Sequence, residues 1–240
     1  MQKEELLKEY NHRIELHAHS MPVSNCCRCS DERLLELYAE NKVEAVCLTN
    51  HYTADNPVFS GKTKKESIDA YLEGYEKLKE AAKPYGIGII LGCEIRFNEN
   101  CNDYLIYGVN REILEEAFDY FGRGVEEYRK NVVLKDSLFI QAHPFRDGIK
   151  TVDPRYLDGI ETMNFHPKHN SRNSTSARYA KENGIEICIG GSDFHEDGHY
   201  NSSALLTLAK RAPTDSFDLA RLLKSKDYLF LIGDNHIVIP

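Results

Sequence analysis

The chain has 240 residues, 41% of them hydrophobic, with 38 acidic against 30 basic side chains and a formal net charge of -8. That is enough apolar material for one buried core, and no linker-like stretch or change of composition divides it, so a single domain over residues 1–240 is expected. The acidic balance without a basic cluster disfavours duplex nucleic acid; the polar start MQKEELLKEYNHR, the lack of any membrane-length apolar run and an odd total of seven cysteines point to a soluble, cytoplasmic protein without a disulfide framework.

The first strand is predicted at 13–20 (RIELHAHS). Ser30 offers an N-cap for a helix over 31–41, with Asp31 and Glu32 suiting its positive end. A strand at 43–51 (VEAVCLTNH) precedes a helix over 64–83, where Ile68, Tyr71, Leu72, Tyr75 and Leu78 recur at helical spacing. Strands at 86–97 and 103–109 follow one another directly, as a hairpin or a distorted crossover. Next come a helix over 110–131, strands at 137–145 and 159–165, and a helix over 174–183 closing at Gly184. A strand at 185–195, a helix at about 215–225 and a strand at 228–233 complete the order. Repeated β-then-α order implies mainly parallel strands with right-handed crossovers, as a barrel or an open doubly wound sheet. In either, sites form at the carboxyl ends of strands.

Those ends carry His17 and His19, then His51, Glu94, His143, and Asp193 with His195. Imidazole and carboxylate are ligands for borderline and hard divalent ions. Residues i and i+2 share a strand face, so His17 and His19 can grip one ion, and Asp193 and His195 aim together into the site. Taken singly, each residue is more often a loop or capping residue. Recurrence at successive strand ends is what points to a metal site.

LHAHS, LTNH, GCEIRF, QAHPF and GSDFH, in this order, resemble the motifs of the PHP (polymerase and histidinol phosphatase) superfamily, from about residue 13 to 199. The resemblance implies an α/β fold, a distorted (β/α)7 barrel, with two or three divalent ions (Zn, Mn or Fe). It assigns His17, His19, Glu94 and Asp193 to one ion, has Glu94 bridge to a second shared with His143, and gives a third to His51 and His195. Asp103 stands where many members have His and can serve as an oxygen ligand. Ser24, Asn25 or Cys26 occupies the place of a common Asp or His, so Cys26 is a candidate accessory thiolate; Cys27 and Cys29 read as loop or helix-entry residues. Asn50 replaces a common Asp and can accept a hydrogen bond that orients the His51 imidazole.

The expected reaction is metal-dependent hydrolysis of a phosphate ester, most simply a small phosphomonoester, by attack of a metal-bridged hydroxide on phosphorus. Asp193 and His195 sit at its centre, and His199 is the candidate proton donor to the leaving group. Arg96 and Arg146 are placed to meet a phosphate, since guanidinium matches it in bidentate fashion, although either could instead pair with a carboxylate. Asn164 and His166 follow the 159–165 strand most closely and are the nearest further substrate contacts; His169 and Arg172 lie in the same loop. The competing readings are an exonuclease or phosphodiesterase on short single strands, which wants a basic, aromatic-lined groove, and a metal-binding module with little catalysis. An amidohydrolase-type barrel also begins with His-x-His but fits Glu94 and the Asp193–His195 pair less well. Oligomeric state is not written in the sequence.

Overall fold

The computed structural model describes residues 3–198, 204–234 and 236–240. Among the described residues, twelve strands form two six-stranded sheets. The strands are β1 (His12–Ala18), β2 (Ala45–Leu48), β3 (His51–Tyr52), β4 (Gly88–Leu91), β5 (Cys93–Arg96), β6 (Asp103–Tyr107), β7 (Leu138–Gln141), β8 (Gly159–Asn164), β9 (Cys188–Gly191), β10 (Leu205–Ala209), β11 (Leu229–Ile232) and β12 (His236–Val238). One sheet runs β12-β11-β10-β1-β2-β4 and the other β3-β5-β6-β7-β8-β9. The helices are α1 (Lys3–Glu9), α2 (Asp31–Glu40), α3 (Lys64–Ala82), α4 (Arg111–Phe118), α5 (Val125–Asn131), α6 (Asn173–Glu182) and α7 (Ser216–Ser225). No helix among the described residues is long and apolar enough to cross a membrane.

The α/β class expected from the sequence is present, but the ladders close no single ring. Two predicted strands are each split between the sheets. The 43–51 strand breaks at Thr49–Asn50 into β2 and β3, and the 86–97 strand breaks at Gly92 into β4 and β5. Gly92 is needed at the break: a Cβ there would lie 2.7 Å from Cys47 Sγ and 3.1 Å from Thr49 Cγ2. Backbone bonds carry the ladder across the kink, from Gly92 N–H to Leu48 O (3.0 Å) and from Glu94 N–H to Asn50 O (3.0 Å). On the far side a bridge joins Ala18 to Phe194, with His19 N–H donating to Phe194 O at 3.0 Å. The two sheets therefore meet at two seams, and their inner faces share one core that includes Leu16, Cys47, Leu105, Ile140 and Ile189.

Antiparallel pairing is more extensive than the β-then-α order suggests. β5 and β6 form the hairpin, one of the two arrangements expected, and β6 also pairs antiparallel with β7. At the other sheet's edge β10 lies antiparallel to β1 and leads into β11 and β12. β10, β12 and α1 were not anticipated. The helix expected over 110–131 is two, because the chain turns at 119–124 and Gly124 adopts a φ of +86°. A Cβ on Gly124 would strike the Glu99 carboxylate, which accepts from Val125 N–H at 2.9 Å and so caps α5 from another part of the chain.

Gly191, at the end of β9, packs directly on the first strand: an added Cβ would lie 2.4 Å from His17 Cβ and 3.0 Å from His17 N. Gly191→Ala should cost about 1–3 kcal/mol through this overpacking. Gly122→Ala, which meets nothing within 4 Å, should leave the urea midpoint nearly unchanged.

Candidate metal centre

The ligand candidates converge on one edge between the seams. β1 presents His17, and His19 follows it by one residue. His51 opens β3 in register with Glu94 of β5. Because β6 runs antiparallel, its first residue, Asp103, reaches the same edge opposite Arg96. His143 follows β7, and Asp193 and His195 follow β9. His143 (φ +28°) and Asp193 (φ +54°) both occupy the left-handed backbone region, a conformation worth of order 1–3 kcal/mol of strain that the surrounding structure must hold.

Glu94 is the hub. Its Oε1 lies 3.3 Å from His17 Nε2 and 3.2 Å from His143 Nε2; its Oε2 lies 3.5 Å from His19 Nε2 and 3.0 Å from His51 Nδ1. Asp193 Oδ1 stands 3.6 Å from His17 Nε2, 3.4 Å from His19 Nε2 and 3.3 Å from His195 Nδ1. Three groups have donor atoms within 4.8 Å of one another: His17–His19–Asp193, His17–Glu94–His143 and His19–His51–His195. They resemble the partition expected from the sequence, except that His17 also belongs with Glu94 and His143, and His19 with His51 and His195.

Hydrogen bonding indicates which nitrogen His17, His19 and His195 can offer. His17 Nδ1 lies 2.9 Å from Glu161 Oε1, and a carboxylate only accepts, so Nδ1 carries a proton and Nε2 is the nitrogen left for an ion. Ser24 Oγ gives its one proton to Asn50 Oδ1, so at 3.2 Å it accepts from His19 Nδ1 and leaves that Nε2 free as well. His195 Nδ1 donates to the Asp193 carbonyl at 2.8 Å. His17 Nε2 and His19 Nε2 are buried with no hydrogen-bond partner, a costly condition for a polar atom. Orphaned lone pairs facing two buried carboxylates fit divalent ions held by nitrogen and oxygen. Each ring has one lone pair to give, so His17 and His19 can each serve one ion, and the overlapping groups cannot all be filled independently.

The electrostatics agree. Burial alone would lower His17, but Asp193, Glu161 and Glu94 outweigh it and hold the imidazole well above its ordinary value. Burial and the neighbouring His195 and His51 hold His19 well below. Burial would raise Glu94 and Asp193, yet the adjacent histidines keep both well below the usual carboxylate range. Asp103 is raised, by burial and by Glu94.

The PHP domain family model matches residues 15–232. The chain belongs to the PHP family. Among solved structures it is similar to a two-domain protein from Bacteroides vulgatus containing a predicted PHP-like metal-dependent phosphoesterase, at 15% identity and a TM-score of 0.59, covering 92% of this chain but 65% of that one. This PHP chain thus spans less than two thirds of that protein. It is also similar to an amidohydrolase from Chromobacterium violaceum with bound sulfate, at 16% identity and a TM-score of 0.51, covering 91% and 97% of the two chains. These likenesses concern the fold. No curated protein matches the chain.

Around the ligands of this PHP chain lies a shell that the sequence reading largely passed over. Glu161, fully buried on β8, accepts from His17 Nδ1, from His143 N–H at 2.8 Å and from Asn164 Nδ2 at 3.1 Å. Glu15, equally buried, accepts from His17 N–H at 2.9 Å and from Ser192 N–H at 3.1 Å; burial raises its carboxyl to about 7. The available signal for both was an acid in the middle of an otherwise apolar strand, IEL and IET. Asn50 corrects an expectation: its amide oxygen accepts from Ser20 N–H and Ser24 Oγ, not from the His51 ring. It acts on the His19 imidazole through Ser24, because the 20–24 turn lies between.

A cavity of about 470 Å³ opens over the centre, lined by His51, Glu94, Asp103, His143, Asp193 and His195 together with Arg28, Arg96, Arg146, His166, Lys168 and His169. Arg96 forms a two-pronged pair with Asp103 at 2.7 Å each. Arg146 Nη2 lies 2.6 Å from Asp193 Oδ2 and 2.8 Å from Asn164 Oδ1. Asn164 is buried and also reaches Asp193 at 3.2 Å. Burial lowers His166 to about 4. Arg172 is turned away, onto the Phe145 carbonyl and Asp147. His199 lies outside the described residues.

Glu161→Gln replaces one acceptor oxygen by a donor beside His17 and His143, and should weaken metal retention by about 10–100-fold with the fold intact, read by chelator competition and far-UV circular dichroism. Metal must also displace a proton from His17, whose value is raised. Apparent metal affinity should therefore fall on acidification, with the fall setting in at a higher pH than for an ordinary imidazole, measured by calorimetric titration in buffers of different pH.

Proposed function

We propose that this PHP protein is a metal-dependent hydrolase of small phosphomonoesters. The observation that carries the proposal is the pair of orphaned imidazole nitrogens, His17 Nε2 and His19 Nε2, facing Glu94 and Asp193, two carboxylates that line a cavity together with Arg28, Arg96, Arg146 and Lys168. Two or three ions of zinc, manganese or iron, held by His17, His19, His51, Glu94, Asp103, His143, Asp193 and His195, would supply Lewis acidity and a nucleophilic water at neutral pH. The chain's own part is to bind and orient. Arg146 and Arg96 present guanidinium groups to the phosphoryl oxygens. Asn164 fixes Arg146, and His166, neutral at pH 7, contacts the leaving group. His199 is our candidate for the acid that protonates the departing alcohol.

A single-strand nuclease is the second reading. It is disfavoured by the cavity lining, which among the described residues includes no tyrosine or phenylalanine on which bases could stack. We read the two sheets as an opened form of the distorted (β/α)7 barrel, supported by the ladder that continues through Gly92 and the bridge at Ala18 and Phe194. A cytoplasmic setting with a small phosphorylated metabolite as partner completes this reading.

The test is a screen of phosphomonoesters, phosphodiesters and short oligonucleotides with added Mn²⁺ or Zn²⁺. Monoester turnover should vanish with chelator and return with metal. His17→Ala and His143→Ala should each lower kcat at least about 100-fold, the scale for losing catalytic electrostatics. Arg146→Lys should raise KM by about 10–100-fold, the scale of a lost charged hydrogen bond. Diester-only cleavage would replace the monoester reading, and unchanged activity in both histidine variants would end the metal mechanism.

A further inference from the structure

We propose that Cys26 is a metal ligand of this centre, joining His51 and His195 to make one of its positions a mixed sulfur–nitrogen site. The inference rests on the metal centre described above and concerns which metal the centre selects. Of the three clustered cysteines, Cys27 and Cys29 are buried, and the Cys27 thiol is turned onto the His19 carbonyl at 3.4 Å. Cys26 instead lines the cavity with His51 and His195, and a second cavity of about 240 Å³ with His51. It is the one of the three that shares the cavity wall with both rings.

The backbone holds it there from both sides. His51 N–H donates to Ser24 Oγ at 2.9 Å, two residues before the cysteine. Arg28 N–H donates to His195 O at 2.7 Å, two residues after it. Between them, Cys27 N–H closes a turn on Ser24 O at 3.0 Å. The loop is thus fastened to the two residues, His51 and His195, beside which Cys26 lines the cavity.

A second observation points to a ligand at this position. His19 is fully buried, its Nε2 has no partner, and that ring groups with His51 and His195 within 4.8 Å. His195 is committed through Nδ1 to a carbonyl, which leaves Nε2 as the nitrogen it can give. One thiolate among two or three imidazole nitrogens is a donor set for zinc or cobalt(II) in preference to magnesium or manganese. The remainder of the centre, rich in carboxylate oxygen, carries no such preference.

Cobalt(II) titration of the whole protein tests this without reference to turnover. The wild type should develop a thiolate-to-cobalt charge-transfer band in the near ultraviolet alongside visible ligand-field bands. Cys26→Ser should lose the ultraviolet band and one metal equivalent. Cys29→Ser should keep both, and Cys26→His should regain the metal equivalent without the band. Visible bands with no charge-transfer band in the wild type, or a band that survives in Cys26→Ser, would overturn sulfur ligation while leaving the metal centre standing. Absence of any cobalt binding would overturn the centre itself and this inference with it.

Discussion

Glu94 and Asp193 are carboxylates with almost no access to water, and the rest of the structure is arranged to make that condition tolerable. A buried anion without compensation is strongly destabilising. Here compensation comes from all sides. Four imidazoles stand within 3.5 Å of Glu94, two more contacts of this kind reach Asp193 within 3.4 Å, and a guanidinium lies on the outer oxygen of Asp193. Replacing any one of these partners changes the charge seen by all the others. The centre therefore behaves as one electrostatic unit, and the paired Arg96–Asp103 and Arg146–Asp193 contacts connect the cavity above to it directly.

The sheets serve this unit. A flat parallel sheet would spread its strand ends along a line; the kinks at Thr49–Asn50 and Gly92 swing β3 and β5 out of the first sheet so that His51 and Glu94 turn towards His17 and His19. Reversal of β6 brings Asp103 to the same edge. Left-handed backbone at His143 and Asp193 re-aims two more side chains. Such conformations persist where neighbours over-determine them, and the His143 N–H bond to Glu161 and the Phe194 N–H bond to His17 O (3.2 Å) are two of the restraints.

Much of this was legible in the chain. His17, His19, His51, Glu94, His143, Asp193 and His195 could be gathered because parallel strands bring their carboxyl ends together, so ligand-type residues at those ends converge by topology. Helices over 31–41, 64–83 and 174–183 followed from caps and spacing and match α2, α3 and α6 closely. The strand breaks were not legible, because each arises from a change of sheet partner, which local propensity does not register. Leu205–Ala209 is a short apolar run of the kind that periodicity cannot assign. Glu161 and Glu15 escaped because attention to strand ends overlooks acids in strand middles, where only tertiary neighbours explain a buried charge. Asn50 was given the wrong partner for a related reason: its neighbour in space, Ser24, is 26 residues away along the chain.

Glu15 is bonded to Ser192 across 177 residues of sequence, and His17 and His19 meet Asp193 and His195 from the same two distant regions. During synthesis the first strand, with its two histidines, leaves the ribosome long before the partners it needs. Contacts of such separation form late and slowly. A nascent polypeptide of this design carries its early histidines uncommitted, and the ion nest is completed only when β9 and the loop behind it arrive to lock onto β1.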